Sequence, residues 1–183
     1  MSIIHTEWKS KVSPVDVRPF VQPTGPAVRL SADPAELFSL FFTPDIIHSI
    51  VEETNRYAEQ CLQETSCTWS TDEAELRAYL GFYILMGLVR EPEIRDYWSK
   101  DDTFRYRPIS ERISRKRFEE ISRYLHFVDK EALPARGSPG YHRLQRVKPV
   151  LDTVRERCLA VYRPGANLSV DEAMIPFKGT TIQ

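Results

Sequence analysis

Ser114-Arg-Lys-Arg-Phe-Glu-Glu-Ile-Ser-Arg-Tyr-Leu-His-Phe-Val128 is the stretch that decides between a helical body and any other. Phe118, Ile121, Leu125 and Val128 stand at i, i+3, i+7 and i+10, the spacing of one apolar helix stripe, and Ser114 is suited to cap the N-terminus. Arg115, Lys116, Glu119, Glu120 and Arg123 fall on the other faces, where Glu119 and Glu120 lie at pairing distance from the cations one turn earlier. The spacing predicts a helix here, and a strand over 114–128 would overturn the reading of the whole chain.

The segments on either side repeat the pattern. Asp33-Pro34-Ala35-Glu36 has a capping aspartate, a proline for the first helical position and a glutamate that can reach back. Thr43-Pro44 repeats the cap-then-proline signal before Ile46, Ile47, Ile50, Val51 and Thr54, which recur at helical spacing into Tyr57 and Cys61. Ser70-Thr71-Asp72-Glu73 reads as a capping box before Leu76, Leu80, Tyr83, Ile84 and Leu88. That helix is apolar on most of its circumference, so it is expected at the centre of the core, with Gly81 and Gly87 permitting close helix packing. Downstream come an irregular span from Arg90 to Ser110, a Pro/Gly-rich loop from Asp129 to Gly140, and a last amphipathic helix through Leu144, Val147, Leu151, Val154 and Cys158. Pro149 sits either in the first turn of that helix or at a kink. Residues 1–32, with Pro14, Pro19, Pro23 and Pro26, read as an extended, loosely ordered leader from which Trp8 and Phe20 dock on the body.

Composition narrows the class. A chain of 183 residues with 42% hydrophobic residues can bury a real core. Its longest uncharged apolar run, Ala78–Val89, is shorter than the roughly 20 residues of a membrane span, so a soluble, intracellular protein without a membrane partner is expected. Cys61, Cys67 and Cys158 form no CxxC pair and read as free thiols, which argues against a zinc site or a disulfide framework. The net charge of −1 hides an asymmetry. Residues 1–104 hold 9 Lys/Arg against 17 Asp/Glu, whereas residues 105–157 hold 14 against 7, a net of +7. Such a block suits a polyanion, nucleic acid above all, or pairs with the acidic half as a solvated helix face. Arg115, Lys116, Arg117 and Arg123 are the candidate phosphate contacts, with Lys148 beside them at the start of the last helix.

The chain closes on Asn167-Leu-Ser-Val-Asp-Glu-Ala-Met-Ile-Pro-Phe-Lys-Gly179. Leu168 and Val170 alternate about Ser169 after the Pro164-Gly165 turn signal, which predicts an extended segment near 168–174. Asp171 and Glu172 then point to opposite faces and cannot easily serve one site, which disfavours a hydrolase built on the pair. Three residues elsewhere have structural readings. His126 is expected to be a hydrogen-bonded helix-end residue, Tyr97-Trp98 to anchor the irregular span, and Asn55 with Tyr57 to tie the second helix to a neighbour.

Taken in order, Phe41-Phe42, Glu53-Thr54-Asn55-Arg56-Tyr57, Gly81 with Met86-Gly87, Tyr97-Trp98-Ser99, Ser114-Arg115-x-Arg117-Phe118 through Leu125-His126-Phe127-x-Asp129, Lys148-Pro149-x-Leu151-Asp152, and Val170-Asp171-Glu172-Ala173-Met174 with Pro176-Phe177-Lys178-Gly179 resemble the front part of a piggyBac-type transposase. The resemblance implies a mainly α fold: a helical dimerisation and DNA-binding bundle over 33–161, following the 1–32 leader, and then the first strand of an RNase H-like α/β catalytic domain in 162–183. It implies that Asp171 is the first of three acidic residues that hold Mg²⁺ for cut-and-paste DNA transposition, a pair of ions flanking the reacting phosphate. It implies transposon ends and TTAA targets as DNA partners, a possible homodimer and a nuclear location. The other two carboxylates and the family's cysteine-rich zinc module are expected beyond Gln183. The chain is therefore expected to be a fragment or truncated product, inactive alone, with Mg²⁺ relevant only to a complete catalytic domain. Where the family often has Lys-Gly-Arg, this chain has Lys178-Gly179-Thr180. The alternative is a domesticated protein-interaction module without cleavage activity.

Overall fold

The computed structural model describes residues 18–101 and 103–169. Asp171 and the rest of the expected strand near 168–174 beyond Ser169 lie outside them, as does Trp8; Leu168 and Ser169 themselves are not in a strand.

A two-residue strand, β1 (Gly25–Pro26), precedes three helices: α1 (Pro34–Ser39), α2 (Pro44–Leu62) and α3 (Glu73–Leu88). A 3₁₀ turn over Ile94–Trp98 and the single-turn α4 (Arg107–Ser110) lead to α5 (Arg115–Tyr124). A second 3₁₀ turn, Lys130–Ala132, then opens a long loop before α6 (Lys148–Val161) and β2 (Tyr162–Arg163). Most of these boundaries follow from caps. The Asp33 carboxylate accepts from the Ala35 N–H at 2.8 Å, and Ser114 Oγ accepts from the Arg117 N–H at 3.2 Å. At α3 the capping residue is Asp72, which accepts from Glu75 N–H, rather than Ser70 two residues earlier. Pro149 sits in the first turn of α6, where its missing N–H costs nothing.

Several expectations change. The last helix starts at Lys148, so Leu144 and Val147, expected inside it, precede it. The helix opened at Ser114 stops at Tyr124 instead of running to Val128. The reason is long-range: the Thr54 hydroxyl, fully buried on α2, accepts the His126 N–H and donates to the His126 carbonyl, both at 3.2 Å. Those two groups are withdrawn from any further helical turn. The centre of the core is also α2 rather than α3. Ile46, Ile47, Ile50, Val51, Thr54 and Ala58 are buried along α2, which packs against both α3 and α5. From α3 only Leu76, Tyr79 and Phe82 are buried, while Tyr83, Ile84 and Leu88 face outward. A Cβ added at Gly81 or Gly87 would meet nothing within 4 Å, so neither glycine serves a close helix contact among the described residues. Finally, the leader is partly tied down. β1 pairs antiparallel with β2, Gly25 opposite Arg163 and Pro26 opposite Tyr162, and the Ala27 N–H donates to the Val161 carbonyl at 2.7 Å. Gly25 takes φ +97°, a conformation for which glycine alone carries no Cβ penalty. Phe20 remains exposed.

The core joins α2, α3 and α5 through Ile47, Leu76, Tyr79, Phe118 and Ile121, with Tyr97 and Ile109 closing it from the irregular span and Ile113 from the link between α4 and α5. Tyr97 and Trp98 anchor that span as expected. Tyr97 donates to the Val89 carbonyl, and Trp98 Nε1 donates to the Ile113 carbonyl at 2.7 Å. Asn55 fastens α2 to the start of α3 by a reciprocal pair, Nδ2 donating to the Thr71 carbonyl at 3.0 Å and Oδ1 accepting from the Thr71 N–H at 2.8 Å. Each partner satisfies a polar group that burial would otherwise leave stranded.

Candidate nucleic-acid interface

The cations singled out on α5 are placed by the helix as the sequence predicts, but their charges are engaged to different degrees. Arg115 pairs with Glu119 at 3.1 Å and Lys116 with Glu120 at 3.7 Å, both i,i+4 contacts on the exposed face. Pairs of this kind contribute about 0.3–0.5 kcal/mol and are easily exchanged for a phosphate. Arg123 is exposed and makes no ion pair among the described residues. Lys148, on α6, pairs with Asp152 one turn on.

Arg117 is different. Its guanidinium grips both oxygens of Glu75 at 2.6 Å, donates to the Ser70 carbonyl at 2.6 Å, and lies 4.7 Å from the centre of the Trp69 ring. Glu75 in turn accepts from the Thr71 hydroxyl at 2.7 Å, and Glu120 accepts from Trp69 Nε1. Hydrogen bonds from Arg117 hold the Glu75 carboxyl below the usual carboxylate range. The Glu75 bond likewise raises Arg117 above its ordinary value. A planar guanidinium matched to a carboxylate, a carbonyl and an indole face has its donors committed inside the protein. Arg117 therefore positions α5 against the α2–α3 connection, and the residues that reach it, 42 and 47 positions away, left no local signature.

The sequence reading missed the loop between Lys130 and Val147. Lys130, Arg136, Arg143 and Arg146 line a cleft of about 390 Å³ together with Leu133, Pro134 and Tyr141, and among the described residues no carboxylate lines it. None of the three arginines makes an ion pair among the described residues. A signal was present: no Asp or Glu lies within four residues of Arg136, Arg143 or Arg146, unlike the cations of α5. Beneath the loop the Tyr57 and His126 rings stack with centroids 3.4 Å apart, and Lys130 Nζ lies 4.9 Å above the Tyr57 ring. His126 Nδ1 is 3.3 Å from the Tyr124 carbonyl, a helix-end contact as expected. Burial first, and then repulsion from Arg146 and Lys130, lowers its pKa. That repulsion marks a positive local field.

No group of three or more His, Cys, Asp or Glu able to hold a metal ion is present among the described residues, and Asp171 lies outside them. The described residues thus do not supply a Mg²⁺ site. Cys61, Cys67 and Cys158 are exposed free thiols. Among the described residues no helix is long and apolar enough to cross a membrane.

Comparison of this helical body with known proteins gives its class. A family model described as Transposase IS4 matches residues 33–182. Human PiggyBac transposable element-derived protein 2 is 37% identical over 125 residues, 68% of this chain and 19% of that protein. Human PiggyBac transposable element-derived protein 3 is 27% identical over 182 residues, 98% of this chain and 29% of its own length. A cryo-EM structure of a piggyBac transposase synaptic complex with hairpin DNA superposes with a TM-score of 0.62 at 27% identity, covering 79% of this chain and 31% of that one. The chain belongs to the piggyBac-type transposase family, and it spans less than a third of the length of these relatives.

Proposed function

We propose that this chain is the DNA-binding and dimerisation part of a piggyBac-type, DDE/D cut-and-paste transposase or of a protein derived from one, acting in the nucleus. The observation that carries the reading is the likeness to a piggyBac transposase captured in a synaptic complex with hairpin DNA. The net +7 of residues 105–157 supports it. The basic block holds duplex DNA mainly through its phosphates, with transposon ends and TTAA targets as the expected partners. Arg115, Lys116, Arg123 and Lys148 contribute from exposed positions, and Arg117 keeps α5 in place. Asp171 is proposed as the first metal-binding carboxylate of an RNase H-like domain, with Mg²⁺ bound only where further carboxylates complete the set. One carboxylate offers two oxygens, Mg²⁺ takes six ligands in near-octahedral array, and so the 183-residue chain is expected to bind DNA without cutting it.

The test is a retention assay on duplex DNA across a salt series, paired with a divalent-dependent nicking assay on transposon-end DNA. Binding that weakens steeply with salt and no nicking is the expected result. Asp171→Asn in a longer relative carrying this segment is expected to keep binding and abolish nicking. Metal-dependent nicking by the 183-residue chain, or full activity of the Asn variant, would show the chemistry to be misplaced.

One observation favours a second reading, a protein-interaction module. Tyr83, Ile84 and Leu88 leave an outward apolar strip on α3. Self-association that persists at high salt, with no retention on DNA at low salt, would select it.

A further inference from the structure

We propose that the cleft in the loop between Lys130 and Val147 is the principal phosphate-binding site of this chain, taking the sugar-phosphate backbone of duplex DNA through Arg136, Arg143 and Arg146. The proposal rests on the DNA-binding reading above and assigns it to residues outside α5. Three features carry it. Four cations line one concavity with no carboxylate among its lining residues, so their combined field is not cancelled where a ligand would sit. Of the two acids at the edge of the loop, Asp129 turns its Oδ1 to the Glu131 N–H at 3.0 Å and lies 3.4 Å from Gln60 Nε2, so that oxygen is already engaged, and Glu131 is exposed and not among the residues that line the cleft. And the three arginines are exposed and make no ion pair among the described residues, so no described carboxylate has to be displaced by a phosphate.

The loop is also built to hold its shape before a ligand arrives. Gly137 at φ +88° and Gly140 at φ +86° turn the chain where other residues would be strained. The Ser138 N–H and hydroxyl both donate to the Ala135 carbonyl, at 3.0 and 2.7 Å, and the Tyr141 N–H donates to Ser138 O at 3.1 Å. Gln145 Nε2 donates across the loop to the Pro134 carbonyl at 3.1 Å, tying its two sides together. Less order is lost when such a loop binds. Guanidinium forks match phosphate oxygens two at a time, and Tyr141, among them and 37% exposed, offers a ring to an adjoining sugar. Gln145, the lining residue suited to an adenine edge, has both ends of its amide engaged inside the loop, Nε2 with the Pro134 carbonyl and Oε1 with the His142 N–H, so the site is expected to hold DNA chiefly through its phosphates.

The test compares salt slopes for an arbitrary duplex of about one or two helical turns. The full chain is measured beside R136A/R143A/R146A, its R136K/R143K/R146K counterpart and the α5 pair R115A/K116A, with thermal melts showing that each is folded. The triple Ala variant is expected to reduce the slope of log K against log salt by about 0.9 for each arginine that meets a phosphate, hence by roughly 2 to 3. The Lys counterpart is expected to keep most of it, and the α5 pair to change it by less than the triple Ala variant does. An unchanged slope in the triple Ala variant overturns this site and leaves the DNA-binding reading standing. Absence of binding by the unsubstituted chain at low salt overturns that reading and this site with it. A triple Ala variant that keeps its DNA slope but loses self-association at low salt assigns the loop to an acidic protein surface instead, and also overturns the proposal.

Discussion

α5 and the loop from residue 130 to 147 each carry four cations, yet the two sets stand in different surroundings. On α5 the helix places Glu119 and Glu120 one turn from Arg115 and Lys116, and folding brings Glu75 to Arg117, so three of the four positive charges there are answered within the protein and Arg123 alone is not, among the described residues. In the loop the only acidic residue is Glu131, and the chain bends so that the cations share one cleft. A count of Lys and Arg treats the regions as equals. What separates them is whether a carboxylate sits within reach, and that decides whether charge serves the fold or a ligand.

The sharpest way to break this contrast is to remove one arginine from each region. Arg117→Ala is expected to lower unfolding stability by about 2 kcal/mol, since it strands a partly buried Glu75 and vacates the Trp69 face. Arg143→Ala, exposed and without an internal partner, is expected to change it by less than about 0.5 kcal/mol. Urea denaturation of both, with equal m-values, is the check. Similar losses for the two would erase the distinction.

A gentler probe is acid. Glu75 titrates below its ordinary value in the folded protein because Arg117 bonds to its charged form. The stability this supplies is therefore fully present above the unfolded-state value of 4.5 and is lost as pH falls through the depressed one. Glu75→Gln is expected to be less stable than the parent near neutrality and to show a shallower loss of stability below about pH 4.5. Parallel acid titrations of parent and variant would contradict the assignment. The smallest effect is expected at Lys116, exposed and 3.7 Å from a carboxylate that also serves Arg117 and Trp69. Lys116→Ala should shift stability by no more than about 0.5 kcal/mol, measured by the same denaturation.

Helix starts were legible where a side chain caps them, because a cap is a local event: Asp33 and Ser114 act within three residues of themselves, whereas α6, which has no side-chain cap, starts at Lys148 and not at Leu144. Helix ends and helix partners were not. The stop at Tyr124 depends on Thr54, which lies 72 residues before His126 in the chain, and no apolar spacing records that. The apolar circumference of α3 suggested a central helix, but only one of its faces is covered, and α2 with its single stripe took the centre. For the interface, the size and sign of the basic block were plain in composition. Spacing alone sets Arg117 beside Arg115 and Lys116, and only the fold shows its guanidinium on Glu75, whereas Arg136, Arg143 and Arg146 lie in a Pro/Gly-rich loop that carries no periodic signal. Their lack of neighbouring carboxylates was visible all along.

The two-residue ladder between β1 and β2 has an architectural consequence. By pairing Gly25 with Arg163, it brings the chain's way into the helical body alongside its way out. The body between them works as a closed loop on one stem, and sequence attached before Gly25 or after Arg163 starts from the same corner. A unit with adjoining ends can be spliced into another polypeptide, or carry different partners on either flank, without its helices having to rearrange.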